Sequence, residues 1–225
     1  IQKLVTGQPT PGYVGRVAAV FNDNGAGVRG DMKAVVRAIL SDPEARGDLK
    51  IDPVYGKLRE PVLYMLNMLR GLNGQTDGVF PQRNAGSLLQ PVYTAPSVFN
   101  FYPPDYVAPN TDALGPEFAI HNSNTALNRI NTANTMVFST IIAPDATVID
   151  ATGTSLNMSA LQALAADPAQ LAAKLDALLL HGTMSAQMQS AIVTAVNAIP
   201  ASDTLTRART AAYLVVTSSQ YQVQR

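Results

Sequence analysis

Prolines stand at the first position of several stretches whose apolar residues repeat every three or four positions. A Thr or Asp side chain in front of such a proline can accept hydrogen bonds from the first backbone N–H groups of a helix, and proline itself fits the first helical position. The pattern therefore predicts a series of separate helices, each with its own start signal. The signals are Thr10-Pro11, Asp42-Pro43, Pro61, Pro116 and Asp167-Pro168.

Asp31 predicts another helix start after the glycine-rich stretch that begins at Asn22. Apolar residues follow it at helical spacing, namely Met32, Val35, Val36, Ile39 and Leu40. We expect the Asp31 side chain to cap this helix and the preceding glycines to adopt backbone angles that other residues avoid.

Alanine- and leucine-rich helical patterns fill the last third of the sequence. The fold class is therefore predicted as all-α, an irregular multi-helix bundle. We expect a helical core over residues 1–141 and a C-terminal helical bundle over residues 142–225. The two would pack as one continuous unit, and the abrupt helical start at Ile1 indicates a fragment of a longer protein.

Residues 73–109 interrupt this helical pattern with six prolines and six aromatic residues. Proline disfavours a regular helix, so we expect a long loop segment here, or one that includes a minor β-ribbon. Two roles are open for its aromatic run. Phe99, Phe101 and Tyr102 either fill the core, or they form a surface that binds a sugar or a polymer chain.

The low charge of the sequence excludes some function classes. Charged residues make up 14% and hydrophobic residues 47%, with 16 basic against 16 acidic residues. A balanced charge gives no field that would attract nucleic acid. The absence of cysteine excludes thiol catalysis and disulfides, and no apolar run is long enough to span a membrane. We expect no cofactor.

Three familiar site patterns fail when they are checked against the sequence. Neither register of the Asn22–Asp31 stretch provides the ligands of a calcium-binding loop. Its glycines lack the preceding strand that a dinucleotide-binding loop requires. His121 and His181 stand 60 positions apart, so no zinc site is predicted; His181 is better explained as a residue at a helix end.

A small set of residues remains as ligand-binding candidates. Pro116 is predicted to begin a helix that runs to about Ile141, which places Glu117 and His121 on one face as an acid–base pair or a structural pair. Arg59 could bind an anionic group or tie two loops together. The aromatic segment adds the remaining candidates, and the full set is Arg59, Phe99, Tyr102, Tyr106, Glu117 and His121.

Several stretches, taken in order, resemble one known family. They are Pro11–Phe21, Gly30–Leu40, Asp42–Arg46, Lys57–Val62, Pro96–Tyr106, Pro116–Phe118, Tyr213–Val216 and Gln220–Arg225. Together they are similar to the C-terminal half of the domain-of-unknown-function 1800 family, and the similarity is weakest between Ile141 and Ala201.

The resemblance implies a bacterial protein that is exported from the cytoplasm and has an N-terminal half preceding this segment. It implies two partners, the N-terminal half or a cleaved segment of the same protein, and an exported protein of the domain-of-unknown-function 1501 family. It brings no catalytic residues. Two function classes therefore stay open, a structural or binding module and a hydrolase that acts on an extracellular polymer through a site shared with the N-terminal half.

Overall fold

The computed structural model describes residues 1–47 and 55–225. Contacts between Cα atoms group the chain into two compact units. The small unit comprises Ile1–Leu58, Tyr102–Ala119 and Val223–Arg225, and the large unit comprises Arg59–Phe101 and Ile120–Gln222. These two units are built from discontinuous stretches, whereas the division predicted from the sequence separates residues 1–141 from residues 142–225. That division stays a prediction.

Among its described residues, the small unit contains three α-helices, most of a 3-10 helix and a short β-ribbon. The helices are α1 (Pro11–Asn22), α2 (Met32–Ser41) and α3 (Pro43–Arg46). Strand β1 (Lys57–Leu58) pairs antiparallel with strand β4 (Val223–Gln224), with Lys57 opposite Gln224. Residues separated by most of the sequence are thus neighbours in this ribbon.

The start signals of these helices are confirmed. Thr10 accepts a hydrogen bond from the N–H of Tyr13, and Asp31 accepts hydrogen bonds from the N–H groups of Lys33 and Ala34. Three glycines in the loop before α2 have left-handed backbone angles, as predicted; they are Gly25, Gly27 and Gly30. Asp23 and Asn24 accept backbone hydrogen bonds within the same loop, so their side-chain oxygens hold the turn together.

The large unit is a helical bundle with one further β-ribbon. Its helices are α4 (Pro61–Gly71), α5 (Val79–Ser87), α6 (Ser123–Phe138), α7 (Ser159–Gln162), α8 (Pro168–Leu175), α9 (Ala186–Asn197), α10 (Thr204–Thr217) and α11 (Ser219–Gln222). One π-helical turn, Asp176–Leu180, continues α8. Strand β2 (Gln75–Thr76) pairs antiparallel with β3 (Thr154–Ser155).

Helix α10 lies at the centre of this bundle and packs against α6, α7, α8 and α9. Its buried face consists mainly of small and β-branched residues, Ala208, Ala211, Ala212, Val215 and Val216. Small side chains let neighbouring helices approach closely, and these residues belong to one hydrophobic core with side chains from α4, α6, α8 and α9. The all-α fold class with minor β-ribbons is therefore confirmed.

The prediction of a helix-free segment over residues 73–109 is wrong at α5. This helix contains Pro81 at its third position. The first N–H groups of a helix have no partner within the helix, so a proline in the first turn removes no hydrogen bond. Strand β2 also lies in this segment, which confirms the predicted ribbon.

The predicted continuous helix from Pro116 to Ile141 is also wrong. A 3-10 helix spans Pro116–Ile120, and α6 begins separately at Ser123. Asn122 starts α6 by a reciprocal cap, because its side chain accepts from the N–H of Thr125 while the Thr125 hydroxyl accepts from the N–H of Asn122. Glu117 and His121 therefore do not share a helical face.

No helix in the described part of the chain is long and apolar enough to cross a membrane.

Candidate functional site

Two adjoining clefts flank helix α5 in the large unit. One has a volume of about 480 Å³ and the other about 500 Å³. They share Asp77, Val79 and Arg83 as lining residues, and we call the two clefts together the α5 groove.

Asp77 fixes the start of α5 and the loop opposite it. Its carboxylate accepts hydrogen bonds from the N–H of Val79 at 2.9 Å, of Thr152 at 2.9 Å and of Gly153 at 2.6 Å. These backbone hydrogen bonds, first that from Val79 and then that from Gly153, hold the pKa of Asp77 below its ordinary value. Asp77 is thus an ionised anchor of the groove.

A second anchor lies on the other side of the groove. The guanidinium of Arg83 on α5 forms an ion pair with the carboxylate of Asp145. Asp145 also accepts hydrogen bonds from the N–H and the hydroxyl of Thr147. Both acidic residues that line the groove are therefore held by partners within the protein.

Tyr93 lies at the mouth of the 500 Å³ cleft, and its side chain is fully exposed. Its backbone is left-handed, with φ of 66°, a conformation that is costly for a bulky side chain. The turn that holds it is closed by Thr94, whose N–H and hydroxyl both donate to the carbonyl of Pro91. The ring of Tyr93 is therefore displayed to solvent on a defined turn.

The floor of this cleft combines apolar and polar groups. Val62, Leu66 and Val148 provide the apolar surface, and Gln82 and Arg83 provide hydrogen-bond donors. An apolar cleft with a few polar groups is typical of a small-molecule or polymer binding site.

The candidate residues predicted from the sequence occupy different environments. In the large unit, Phe99 is 61% exposed, and it therefore lies outside the core. Arg59 is buried, with its guanidinium 4.3 Å from the centre of the Tyr221 ring. His121 is half-buried, and burial, followed by the nearby charge of Arg129, lowers its pKa. A neutral imidazole is the result at pH 7.

The remaining candidates belong to the small unit. Tyr102 is buried and its hydroxyl accepts a hydrogen bond from Lys3 at 3.2 Å, while Tyr106 is half-buried. Glu117 is also buried, with its carboxylate 3.8 Å from the ammonium of Lys57. This ion pair connects the 3-10 helix with β1, which favours a structural role for Glu117. The six candidates thus remain predictions, and the structure does not gather them around one cleft in either unit.

Sequence reasoning missed the polar interior of α6. Apolar residues at helical spacing in α6 are Leu127, Ile130, Ala133 and Val137, of which Leu127 and Ile130 are exposed. Half of its buried residues are polar, namely Thr125, Arg129 and Thr132, and the other half are Ala133, Met136 and Val137. Arg129 donates to the Gln222 side chain at 2.8 Å, and burial lowers its pKa to about 10. The helical spacing of apolar residues could not reveal these three polar ones.

Sequence reasoning also missed the α5 groove. One signal was available, since Asp77-Gly78 immediately before Val79 is a plausible helix start. The exposure of Tyr93 had no such signal.

The described residues contain no preformed cluster of metal ligands. Within residues 1–47 and 55–225, no group of three or more His, Asp or Glu side chains is placed to hold a metal ion.

Comparison with known proteins gives one match. Neither a curated protein nor a solved structure matches the chain. Residues 1–223 match the family described as "Protein of unknown function (DUF1800)". The match covers nearly all of the 225 residues, in agreement with the resemblance noted from the sequence. The chain therefore belongs to the DUF1800 family.

Proposed function

We propose that this protein is a non-enzymatic binding module that acts outside the cytoplasm of a bacterium and holds a glycan strand in the α5 groove. One observation carries the proposal: the fully exposed Tyr93 at the mouth of the groove. Extracytoplasmic location and bacterial origin enter from the family resemblance.

The chemistry of the groove suits a sugar. The flat apolar ring of Tyr93 can stack on the C–H face of a sugar, while Gln82 can hydrogen-bond to its hydroxyl groups. The strained backbone of Tyr93 supports the same view, because strain of this kind is often retained where it serves binding.

A hydrolase is the alternative function, and one observation favours it: two carboxylates, Asp77 and Asp145, line the same cleft. Glycoside hydrolysis requires a carboxylic acid that is protonated near neutral pH. Asp77 does not meet this requirement, because its backbone hydrogen bonds lower its pKa. Asp145 is engaged by Arg83 and Thr147. The binding function is therefore the better supported of the two.

Exposed apolar residues on the small unit favour the binding of a protein partner. Helix α2 exposes Met32, Val36 and Leu40 at intervals of four residues, and α1 exposes Val14 and Phe21. Such stripes fit an amphipathic helix. We propose that this helix comes from the N-terminal half that the family resemblance implies, of which the present chain would be the C-terminal part.

Co-sedimentation with insoluble glycans tests the binding function. We expect the protein to pellet with peptidoglycan sacculi, chitin or cellulose, and Tyr93→Ala to lose this binding while Tyr93→Phe retains it. Equal binding by all three proteins would contradict the role of the ring, and binding to none of the glycans would contradict the proposal.

A reducing-sugar assay on the same mixtures distinguishes the alternative. The binding module releases no new reducing ends on prolonged incubation. Release that is lost in Asp145→Asn would establish the hydrolase instead.

A further inference from the structure

A separate cleft of about 480 Å³ lies elsewhere in the large unit, where β2, β3 and α10 meet. It shares no lining residue with the α5 groove. Its polar lining includes Asn73, Gln75, Thr140, Asn157, Gln162 and Arg209.

Arg209 gives this cleft an unbalanced positive charge. It is the one charged residue in the lining, and no carboxylate lines the cleft within the described residues. Two other arginines of the large unit contrast with it. Arg83 pairs with Asp145, and Arg207 donates to the carbonyls of Ala165 and Ile199.

The hydrogen bonds of the Arg209 guanidinium are incomplete. Its Nη2 reaches the Thr140 hydroxyl at 3.5 Å, a long contact, and its buried Nε has no hydrogen-bond partner among the described residues. A guanidinium has five N–H donors and strongly favours an oxyanion that accepts two of them at once.

Backbone hydrogen bonds fix the positions of polar residues around Arg209. Gln75 and Ser155 are paired across the β2–β3 ribbon, and the N–H of Asn157 donates to the carbonyl of Leu72 at 3.1 Å. The Asn157 side-chain oxygen accepts from Ser159, so its amide N–H groups remain the part of the side chain that can donate to a ligand. The cleft thus presents amide groups on a fixed frame beside one cation.

We propose that this Arg209 cleft binds an oxyanion, either a carboxylate or a phosphate, carried by a hydroxyl-rich ligand such as an acidic sugar. Arg209 binds the oxyanion through its terminal N–H groups, and the amides of Gln75, Asn157 and Gln162 bind the hydroxyl groups. The proposal rests on residues outside the α5 groove and does not depend on the function proposed for it.

Three sugars that share one ring test this assignment by NMR titration: glucose, glucuronate and glucose 6-phosphate. We expect glucuronate or glucose 6-phosphate to shift the methyl signals of Leu156, Met158 and Leu205, which line the cleft, and glucose to leave them unchanged. The response to the two acidic sugars identifies which oxyanion is preferred. Tyr93→Ala should bind them as the wild type does, which separates this site from the α5 groove.

Variants of Arg209 complete the test. Arg209→Gln should weaken binding by about tenfold or more, since the charged hydrogen bonds to the ligand are lost. Arg209→Lys should fall between Arg209→Gln and the wild type, because it keeps the charge but not the planar pair of donors. Arg70→Gln is the matched control, since Arg70 is exposed and lines none of the three clefts. Glucose binding as tightly as the acidic sugars, no binding of either acidic sugar, or undiminished binding by Arg209→Gln would each overturn the proposal.

Discussion

Tyr93 combines two properties that a folded chain normally avoids, a fully exposed aromatic ring and a left-handed backbone. Leu89 and Asn100 in the same segment also have positive φ, of 61° and 70°. Asparagine tolerates this conformation, whereas tyrosine and leucine do so at a cost. A substitution of Tyr93 therefore tests directly whether this residue lowers the stability of the fold but is needed for binding.

We predict that Tyr93→Asn stabilises the protein, by up to about 1 kcal/mol, because asparagine relieves the left-handed strain and no buried contact is lost. Glycan binding should be lost in the same variant. Chemical denaturation and the co-sedimentation assay measure the two effects. A destabilised variant would show that the Tyr93 ring makes contacts that hold the fold together.

Phe99 illustrates how a sequence-based alternative is resolved at a single residue. Since its side chain is mostly exposed, we predict that Phe99→Ala changes the free energy of unfolding by no more than about 0.5 kcal/mol. Leu175→Ala in the core is the comparison and should cost about 2–5 kcal/mol, because Leu175 is completely buried. A loss of similar size in both variants would mean that Phe99 packs into the core after all.

Capping aspartates predict how stability depends on pH. Four of them have a pKa below the ordinary value of 3.8, namely Asp31, Asp77, Asp167 and Asp203. For Asp31 the main cause is a side-chain hydrogen bond from Asn24. For the others it is hydrogen bonds from backbone N–H groups. Because the folded pKa is the lower one, their stabilisation is complete above about pH 5, where the unfolded carboxyls are ionised too, and it is lost as the pH falls through the folded values.

We therefore expect the melting temperature to be nearly constant from pH 5 to 7 and to fall below about pH 4. Asp31→Asn should reduce this acid sensitivity, since asparagine can still cap α2 but does not titrate. Thermal melts across this pH range measure both effects. An acid profile for Asp31→Asn identical to that of the wild type would contradict the contribution of Asp31.

At the scale of helices and strands, the sequence predicted where helices begin better than it predicted which of their faces are buried. The caps at Thr10, Asp31 and Asp167 were predicted because each depends on a few neighbouring residues. The polar part of the buried face of α6 was not, because its burial depends on distant partners; Thr132, for example, accepts a hydrogen bond from Asn84. The α5 groove and the Arg209 cleft were missed for the same reason, since loops far apart in sequence form their walls.

Two glycines provide a matched pair at this scale. A Cβ atom on Gly74 would lie 2.7 Å from the carbonyl oxygen of Ser155, whereas one on Gly15 in α1 would meet nothing within 4 Å. We predict that Gly74→Ala costs about 1–3 kcal/mol by crowding the β2–β3 ribbon, while Gly15→Ala stabilises by about 0.5–1 kcal/mol through helix propensity. Denaturant unfolding of both variants checks the opposite signs, and a neutral Gly74→Ala would show that the ribbon can separate freely.

At the scale of the whole molecule, the exposed stripe of the small unit predicts association. We expect the isolated chain to self-associate as its concentration rises, because Met32, Val36 and Leu40 remain exposed on α2. Met32→Gln combined with Val36→Gln should reduce this association in analytical ultracentrifugation. Leu127→Gln, on an exposed face of the large unit, is the control and should leave it unchanged. A wild-type chain that stays monomeric at all concentrations would contradict the proposed docking surface.

The β1–β4 ribbon has a consequence for biosynthesis. Lys57 is opposite Gln224, so this ribbon must wait until nearly all of the described chain has left the ribosome. The large unit waits almost as long, because its core includes residues of the central helix α10 and Tyr221. Residues 1–58 would spend that interval without β4, with the apolar stripes of α1 and α2 available to other surfaces. A ribosome-bound chain of this protein is therefore a natural client for a chaperone that covers apolar helices until β4 is available.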